Sequence, residues 1–322
     1  MRCLCCGKEF SPKATEYELT VSWHQSCIKK FFGTKVLPNL DISKEKLEEL
    51  ARKSIIKGYT IPGVQKKLSL YLTNDDGSAP RLTFVNYPSG YILKPQTPEF
   101  EALPEAEHLV MSMAVATRIR TVPFALVRLE EGEFAYITKR IDRLKSSNGV
   151  LKYAMEDFCQ LENRLTADKY RGSYERCSKI LEAYSYDVGL DKTDLFLRLV
   201  FSFVVGNSDM HLKNFSLIEK DVNSGMYHLS DAYDMLPVNV IMPSDKEEVA
   251  LTLNGKKQNI RRKDFLIFAE NCGIQKKSAE KMIAKVVSLK ETYIAMCRES
   301  LMPQHMKENL ENLINKRIEQ IQ

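Results

Sequence analysis

The sequence predicts an α+β protein with two lobes, the first rich in strands and the second mainly helical. Apolar runs predict strands in the first lobe at 67–72, 91–94, 122–127 and 134–138. The one long helix expected there covers 104–118 and opens with Pro104 and Glu105, which suit a first helical turn. After Asp142, the apolar pattern predicts helices at 155–161, 170–184, 193–205, 263–272, 276–296 and 303–320.

The expected domain boundaries follow these changes along the chain. Residues 1–54 form a Cys/His-rich head that ends in a charged helix over 41–53, 55–141 form the N-lobe and 142–322 form the C-lobe. Short hairpins are expected at 217–229 and at 250–255, where apolar runs flank polar turns.

Composition is that of an ordinary globular protein and excludes few functions. The chain has 322 residues, of which 44% are hydrophobic and 28% charged, and its net charge of +5 suits an anionic ligand without proving one. No apolar run reaches the length of a membrane span, and the N-terminus lacks the apolar core of a secretion signal. We therefore expect a cytoplasmic protein that does not enter the membrane.

The segment 206–214, Gly-Asn-Ser-Asp-Met-His-Leu-Lys-Asn, places Asp209 and Asn214 five positions apart after an apolar run. A second polar group, which contains Asp231 and Asp234, follows about twenty residues later. Phosphoryl transfer needs one carboxylate near the attacking hydroxyl, and an amide oxygen and a further carboxylate to hold Mg²⁺. The pattern predicts Asp209 as the base and Asn214 and Asp234 as the Mg²⁺ ligands.

Two neighbours of Asp209, His211 and Lys213, would face the phosphates or steady the loop. Asp231 is either a further acidic ligand or a turn residue. The alternative for the whole segment is a helix end in which Asn and Asp only cap backbone groups.

Three features of the first lobe could bind a nucleotide. A loop over 62–67 would approach phosphates through Gly63, although a plain Pro–Gly turn explains it as well. Lys94 closes an apolar strand and could pair with Glu107 on the next helix, unless both side chains are solvated. A third feature, between the lobes, could offer backbone groups to adenine and consists of Lys139, Arg140 and Ile141.

Four of the eight cysteines lie in the first 27 residues, which favours metal chemistry in a reducing compartment over disulfides. Cys3 and Cys6 share a two-residue gap with His24 and Cys27, and three sulfurs with one imidazole suit tetrahedral Zn²⁺. Cys5 would be a spare cysteine or replace one of the pair. The alternative is a set of reduced buried thiols, with His24 beside Trp23.

Five segments in collinear order resemble the HipA family of bacterial serine/threonine kinase toxins. Together they extend over roughly residues 55–300, and they are the stretches 63–68 (Gly-Val-Gln-Lys-Lys-Leu), 91–95 (Tyr-Ile-Leu-Lys-Pro), 156–160 (Glu-Asp-Phe-Cys-Gln), 207–214 and 232–234 (Ala-Tyr-Asp). Several motifs in one order are more specific than any single motif.

The resemblance implies a divergent two-lobed protein-kinase-like fold with an ATP and Mg²⁺ site. By this likeness Lys94 matches the phosphate lysine, residues 139–141 the adenine hinge and Asp209 the catalytic Asp. The residues of the ATP-binding loop would be Pro62, Gly63, Val64, Gln65, Lys66 and Lys67. The site would be completed by His211, Lys213, Asn214, Tyr233 and Asp234.

The resemblance also implies partners and regulation. Family members are restrained by a HipB-like helix-turn-helix antitoxin that binds operator DNA, and they phosphorylate aminoacyl-tRNA synthetases. Autophosphorylation would fall on Thr60, whereas Pro62 stands where some relatives have a further acceptor serine. The short N-terminal region is similar to HipT, the kinase whose missing part is a separate small HipS-like protein. The alternatives are a pseudokinase that bridges antitoxin and DNA, or a small-molecule kinase.

Overall fold

Two compact units make up the chain in the computed structural model, which describes residues 1–40, 67–73, 79–83, 90–130, 132–146 and 149–322. The first unit comprises 1–108 with 122–143, and the second comprises 109–121 with 144–322. The expected helix over 41–53, the turn at 74–77 and the loop over 62–66 lie outside the described residues, as does Thr60.

The first unit is built around a curled antiparallel sheet, as the sequence predicts. The strands lie in the order β2-β1-β3-β5-β4 and are β1 (Leu68–Thr73), β2 (Arg81–Thr83), β3 (Tyr91–Pro95), β4 (Phe124–Arg128) and β5 (Phe134–Lys139). Two short helices of the head, α1 (Glu16–Val21) and α2 (Gln25–Phe32), precede the sheet. The long helix α3 (Leu103–Ala116) follows β3, close to the predicted bounds, and its residues from Leu109 onwards belong to the second unit.

The inner strand β5 is covered on both faces of the sheet. Four consecutive residues of β5, Ala135 to Thr138, are buried rather than alternating with exposed ones. Tyr136 lies opposite Lys94 across the antiparallel pair of β3 and β5. The register therefore brings a lysine amine and an aromatic ring together in the interior.

The second unit is mainly helical. Its helices are α4 (Phe158–Leu161), α5 (Tyr174–Tyr184), α6 (Val188–Val204), α7 (Val238–Ile241), α8 (Arg262–Asn271), α9 (Lys276–Ser288), α10 (Lys290–Glu299) and α11 (Gln304–Ile321). At its centre, α6 contacts α5, α9 and α11, and its residues from Leu195 to Val204 are buried on every side. Within the described residues, no helix is both long and apolar enough to cross a bilayer.

Short strands complete this part of the chain. A three-stranded sheet has the order β10-β9-β8, and a separate ribbon pairs two further strands. The bounds are β6 (Arg143–Ser146), β7 (Gly149–Lys152), β8 (Met155–Asp157), β9 (Ser216–Glu219) and β10 (Tyr227–Leu229). The predicted hairpin over 217–229 is confirmed, since β9 and β10 are antiparallel.

Three sequence expectations are wrong in detail because tertiary contacts override local pattern. Residues 155–157 form a strand on β9, and only 158–161 are helical, capped by the Asp157 side chain. The turn expected at Asn254 and Gly255 forms and is closed by an isolated antiparallel bridge between Leu253 and Lys256, but it is not flanked by two strands, and Thr252 bridges Ser173. The single helix predicted over 276–296 is two helices that meet at Leu289.

Where α6 ends, the backbone passes close to residues of two other helices. Gly206 has φ +71°, and its carbonyl accepts a hydrogen bond from the Asn239 amide at 3.0 Å. A Cβ atom at this position would lie 2.3 Å from Leu313 Cδ2. Glycine is therefore favoured at Gly206 both by the left-handed backbone and by the space available.

We expect Gly206→Ala to destabilise the protein more than Gly273→Ala does. Gly273 has φ +72° but nothing within 4 Å of a built Cβ, so it reports the backbone cost alone, about 1–2 kcal/mol. The contact with Leu313 should add about 1 kcal/mol or more at Gly206. Urea denaturation of both variants measures the difference. Equal losses would show that Leu313 moves aside freely.

Candidate active site

A buried ion pair occupies the interior of the first unit. Lys94 Nζ lies 2.5 Å from Glu107 Oε1, and the two side chains are 5% and 0% exposed. The same amine lies 5.2 Å from the centre of the Tyr136 ring. The pair is therefore not the solvated lysine and surface glutamate of the alternative interpretation. An inward lysine fixed by a helix glutamate is the arrangement that kinases use to hold ATP phosphates.

The expected adenine-binding residues lie at the end of β5, where Lys139 is the last residue of the strand. The amides of Lys139 and Arg140 donate to the carbonyls of Pro123 and Gly90, each at 2.9 Å. The Arg140 guanidinium binds Asp142 through two hydrogen bonds of 2.9 and 2.8 Å. Although burial opposes ionisation, Arg140 and Arg143 hold the pKa of the Asp142 carboxyl below its usual range. Arg140 is thus a structural anchor of this turn.

In the second unit, the 206–214 segment folds around the Asp209 carboxylate. The Asp209 side chain is 40% exposed, and its Oδ1 accepts a hydrogen bond from the Tyr170 hydroxyl. His211 Nε2 lies 3.9 Å from the same oxygen, and the Tyr170 and His211 rings meet edge to face at 5.0 Å. A carboxylate that is accessible to solvent and held in one orientation by its neighbours can accept a proton from a substrate.

Asn214 is fixed by the same segment. Its Nδ2 donates to the Asp209 backbone carbonyl at 2.8 Å, and the side chain is buried. This bond uses the amide nitrogen, so the carbonyl oxygen of the side chain is the group that a hard cation would take. Asp209 and Asn214, five positions apart, are therefore joined by a direct hydrogen bond rather than serving as helix caps.

The second polar group packs against this segment through Tyr233. The Tyr233 hydroxyl donates to the Lys213 carbonyl at 3.1 Å and lies 2.6 Å from Ser216 Oγ. Burial raises the pKa of Tyr233 well above its usual value, so the phenol stays protonated. The next residue, Asp234, has φ +60°, an uncommon conformation for a residue other than glycine. Such backbone conformations concentrate at functional sites.

Contacts that the sequence did not predict hold these residues in place. Lys213 Nζ donates to Asp157 Oδ2 at 2.5 Å, so the lysine is tied to the cap of α4. Ser208 Oγ donates to Asp245 Oδ2 at 2.6 Å. Tyr170 was missed because it stands in an irregular stretch, 39 residues before Asp209, with no motif around it. For Asp157, the resemblance of 156–160 was the one available signal.

The polar group around Asp231 is anchored by a buried arginine. Arg198 is wholly buried, binds Asp194 at 2.7 Å and donates to the Ser230 carbonyl at 2.6 Å. Burial raises the pKa of the neighbouring Asp231 carboxyl.

The four predicted zinc ligands also converge. The ligand atoms of Cys3, Cys6, His24 and Cys27 all lie within 4.8 Å of one another. All eight cysteines fall within the described ranges, and none forms a disulfide. This cluster belongs to the first unit and lies outside the 206–214 segment.

Removing one member of the buried pair should destabilise the fold, and removing both should cost less. We expect Glu107→Leu to lose about 3–5 kcal/mol, because the buried ammonium of Lys94 then loses the carboxylate that lies 2.5 Å away. The double variant Lys94→Met with Glu107→Leu should recover most of that loss. Urea denaturation of the wild type, both single variants and the double variant measures the coupling. Strictly additive losses would contradict an energetic link between the two side chains.

Known proteins similar to this chain include several candidate kinases. One from Haemophilus influenzae is 26% identical over 270 residues, which is 77% of this chain and 77% of that protein. The candidate kinase Y4mE of Sinorhizobium fredii is 28% identical over 223 residues. That alignment covers 67% of this chain but 51% of the relative, so the chain spans about half the length of Y4mE.

Two solved structures share the fold at low sequence identity. HipA in the complex of Shewanella oneidensis HipA, HipB and operator DNA aligns with a TM-score of 0.67 at 17% identity, over 84% of this chain and 70% of HipA. The Helicobacter pylori proinflammatory kinase CtkA aligns with a TM-score of 0.54 at 15% identity, over 79% and 93%. The kinase-like HipA fold is thereby confirmed. Residues 59–293 match the HipA-like C-terminal domain family, and the chain therefore belongs to that family.

Proposed function

We propose that this protein is an ATP-dependent serine/threonine protein kinase and the toxin of a HipBA- or HipBST-type toxin–antitoxin system. The observation that carries the proposal is the Asp209 carboxylate, accessible to a substrate and linked through its own backbone to Asn214. The buried Lys94–Glu107 pair of the first unit supports it independently. Family membership favours phosphoryl transfer over other chemistry at these residues.

In the proposed reaction a substrate hydroxyl attacks the γ-phosphorus of ATP. A bond forms between the hydroxyl oxygen and phosphorus, and the bond from phosphorus to the β–γ bridging oxygen breaks, so that ADP leaves. Asp209 orients the hydroxyl and accepts its proton. Tyr170 donates a hydrogen bond to one oxygen of the Asp209 carboxylate, which helps to hold that carboxylate in one orientation.

Within each unit, the chemistry of the residues suits ATP and Mg²⁺. Lys94 would neutralise the phosphates, Asn214 and Asp234 would hold Mg²⁺ through hard oxygens, and His211 would steady the loop. When bound, Mg²⁺ neutralises charge on the transferring phosphoryl group. Loop residues 62–67 and the backbone at Ile141 would complete nucleotide binding. The Lys213–Asp157 contact makes Lys213 a positioning residue in this scheme.

The partners follow from the family and from the similar structure. HipA of Shewanella oneidensis was solved with HipB and operator DNA, which supports a HipB-like antitoxin here and contact with DNA only through that antitoxin. The proposed protein substrate is an aminoacyl-tRNA synthetase. We further propose Thr60 as the autophosphorylation site and a small HipS-like protein as a second partner.

The first test is Asp209→Asn, which keeps the shape of the side chain but removes the base. We expect transfer of the γ-phosphoryl group to fall by about 10²–10⁴-fold, while nucleotide binding and the unfolding midpoint stay close to wild type. Asp221→Asn, at an exposed turn residue, is the matched control. The rate of phosphoryl transfer is measured with radiolabelled ATP, and the proteins of the expressing cells serve as acceptors. Nucleotide binding without transfer by the wild type would instead support the pseudokinase.

Tyr170→Phe tests whether the phenol tunes Asp209. A hydrogen bond donated to a carboxylate favours the charged form, so its loss should move the acidic limb of the pH–rate profile to higher pH. At neutral pH we expect less than about a tenfold change in rate. Tyr184→Phe, at an exposed helix position, is the control. An acidic limb that does not move would leave Tyr170 with a packing role only.

A further inference from the structure

The described part of the head, residues 1–40, contains four side chains with the spacing of a tetrahedral metal site. His24 Nδ1 lies 3.4 Å from Cys6 Sγ and 4.0 Å from Cys27 Sγ. Zinc bonds of about 2.3 Å to sulfur and about 2.0 Å to nitrogen give ligand–ligand distances of roughly 3.5–3.8 Å. The four ligand atoms therefore lie close to the positions that they would have around one Zn²⁺.

Local structure explains why these atoms converge. The 3–6 loop is closed by the Cys3 amide, which donates to the Lys8 carbonyl, and by the Gly7 amide, which donates to the Cys3 carbonyl, each at 2.9 Å. His24 stands at the N-cap of α2 and Cys27 in its first turn, so both face the loop. The His24 amide also lies 3.3 Å from Cys3 Sγ, a contact that stabilises a thiolate.

Packing in the head argues against the alternative of inert buried thiols. Trp23, Phe31 and Phe32 pack together with ring centroids 4.7–5.8 Å apart, and Trp23 is wholly buried. Cys6, in contrast, is exposed, and His24 and Cys27 are half-buried. A thiol that served only as apolar filling would be buried with the aromatic rings.

The 3–6 loop also contacts strand β4 and helix α3, and α3 carries Glu107. The Leu4 carbonyl accepts a hydrogen bond of 2.8 Å from the Leu126 amide of β4. The Cys5 carbonyl lies 3.3 Å from His108 Nε2 on α3, next to Glu107 in sequence. Leu4 and Cys5 are the two residues enclosed between the ligands Cys3 and Cys6. A metal that fixes this loop would therefore fix its contacts with β4 and α3.

We propose that Cys3, Cys6, His24 and Cys27 bind one structural Zn²⁺, and that the metal holds the 3–6 loop against α3 and so positions Glu107 for Lys94. The site has four protein ligands, which leaves no open position for catalysis. The importance of Glu107 for catalysis rests on the proposed kinase function, whereas the metal site and its contact with α3 do not.

The first experiment measures metal in the full chain, purified without added zinc. Elemental analysis should find one zinc per wild-type chain and a loss of most of it in Cys6→Ser and Cys27→Ser. Cys5→Ser is the matched control, since Cys5 is in the same loop but outside the cluster of four. Cobalt-loaded wild type should show thiolate charge-transfer absorption that Cys27→Ser lacks. A wild type without zinc, or a zinc loss confined to Cys5→Ser, would overturn the ligand assignment.

The second experiment tests the link to α3 on the wild type, so it does not depend on variants that fold. Trp23 is the one tryptophan in the sequence, and chelation of zinc should shift its emission to the red as the head loosens. Amide hydrogen exchange over Leu103–Ala116 should then become faster, while Gln304–Ile321 in the second unit keeps its rate. Unchanged exchange over α3 after complete zinc removal would refute the link. Neither measurement requires phosphoryl transfer, so a failure of the kinase proposal would be seen separately.

Discussion

A charged side chain that is buried away from water needs a partner that offsets its charge. This constraint fixes the positions of functional groups in both units. Lys94 is buried in the first unit, and the cost of removing its ammonium from water is offset by Glu107 and by the face of Tyr136. Strand β3 and helix α3 are thereby held in one arrangement. The stabilisation from such a pair is modest, but the penalty for any other arrangement is large.

The second unit follows the same rule with an arginine. Arg198 is wholly buried within α6 and satisfies its donors on Asp194 and on the Ser230 carbonyl. This ties the central helix to the polar group that leads to Asp234. The C-terminal end of α6 leads to Gly206, whose left-handed backbone turns the chain into the 206–214 segment. Asp209 is therefore exposed on a segment that follows a closely packed helix.

The head shows how a small segment with little core of its own can still serve the larger sheet. Its apolar contribution is an aromatic cluster beneath Trp23, joined to the sheet by the Tyr91 hydroxyl, which donates to the Phe31 carbonyl at 3.3 Å. A segment of this size usually needs a disulfide or a metal to hold a fixed shape. Cys3, Cys6 and Cys27 converge with His24 and form no disulfide, which supports the proposed metal site.

The sequence by itself determined the α+β class, most strands and helices, and the residue types of the candidate site. Local information sufficed for these, because strand alternation, helix caps and the Asp209–Asn214 spacing all act within a few residues. Only the tertiary structure decided that Lys94 is buried against Glu107, that Lys213 is tied to Asp157, and that Tyr170 binds Asp209. The partners in these last two contacts lie 56 and 39 positions apart, and the Cys5–His108 contact spans 103. Such pairs have no period in the sequence, because packing of distant elements, and not local backbone preference, brings them together.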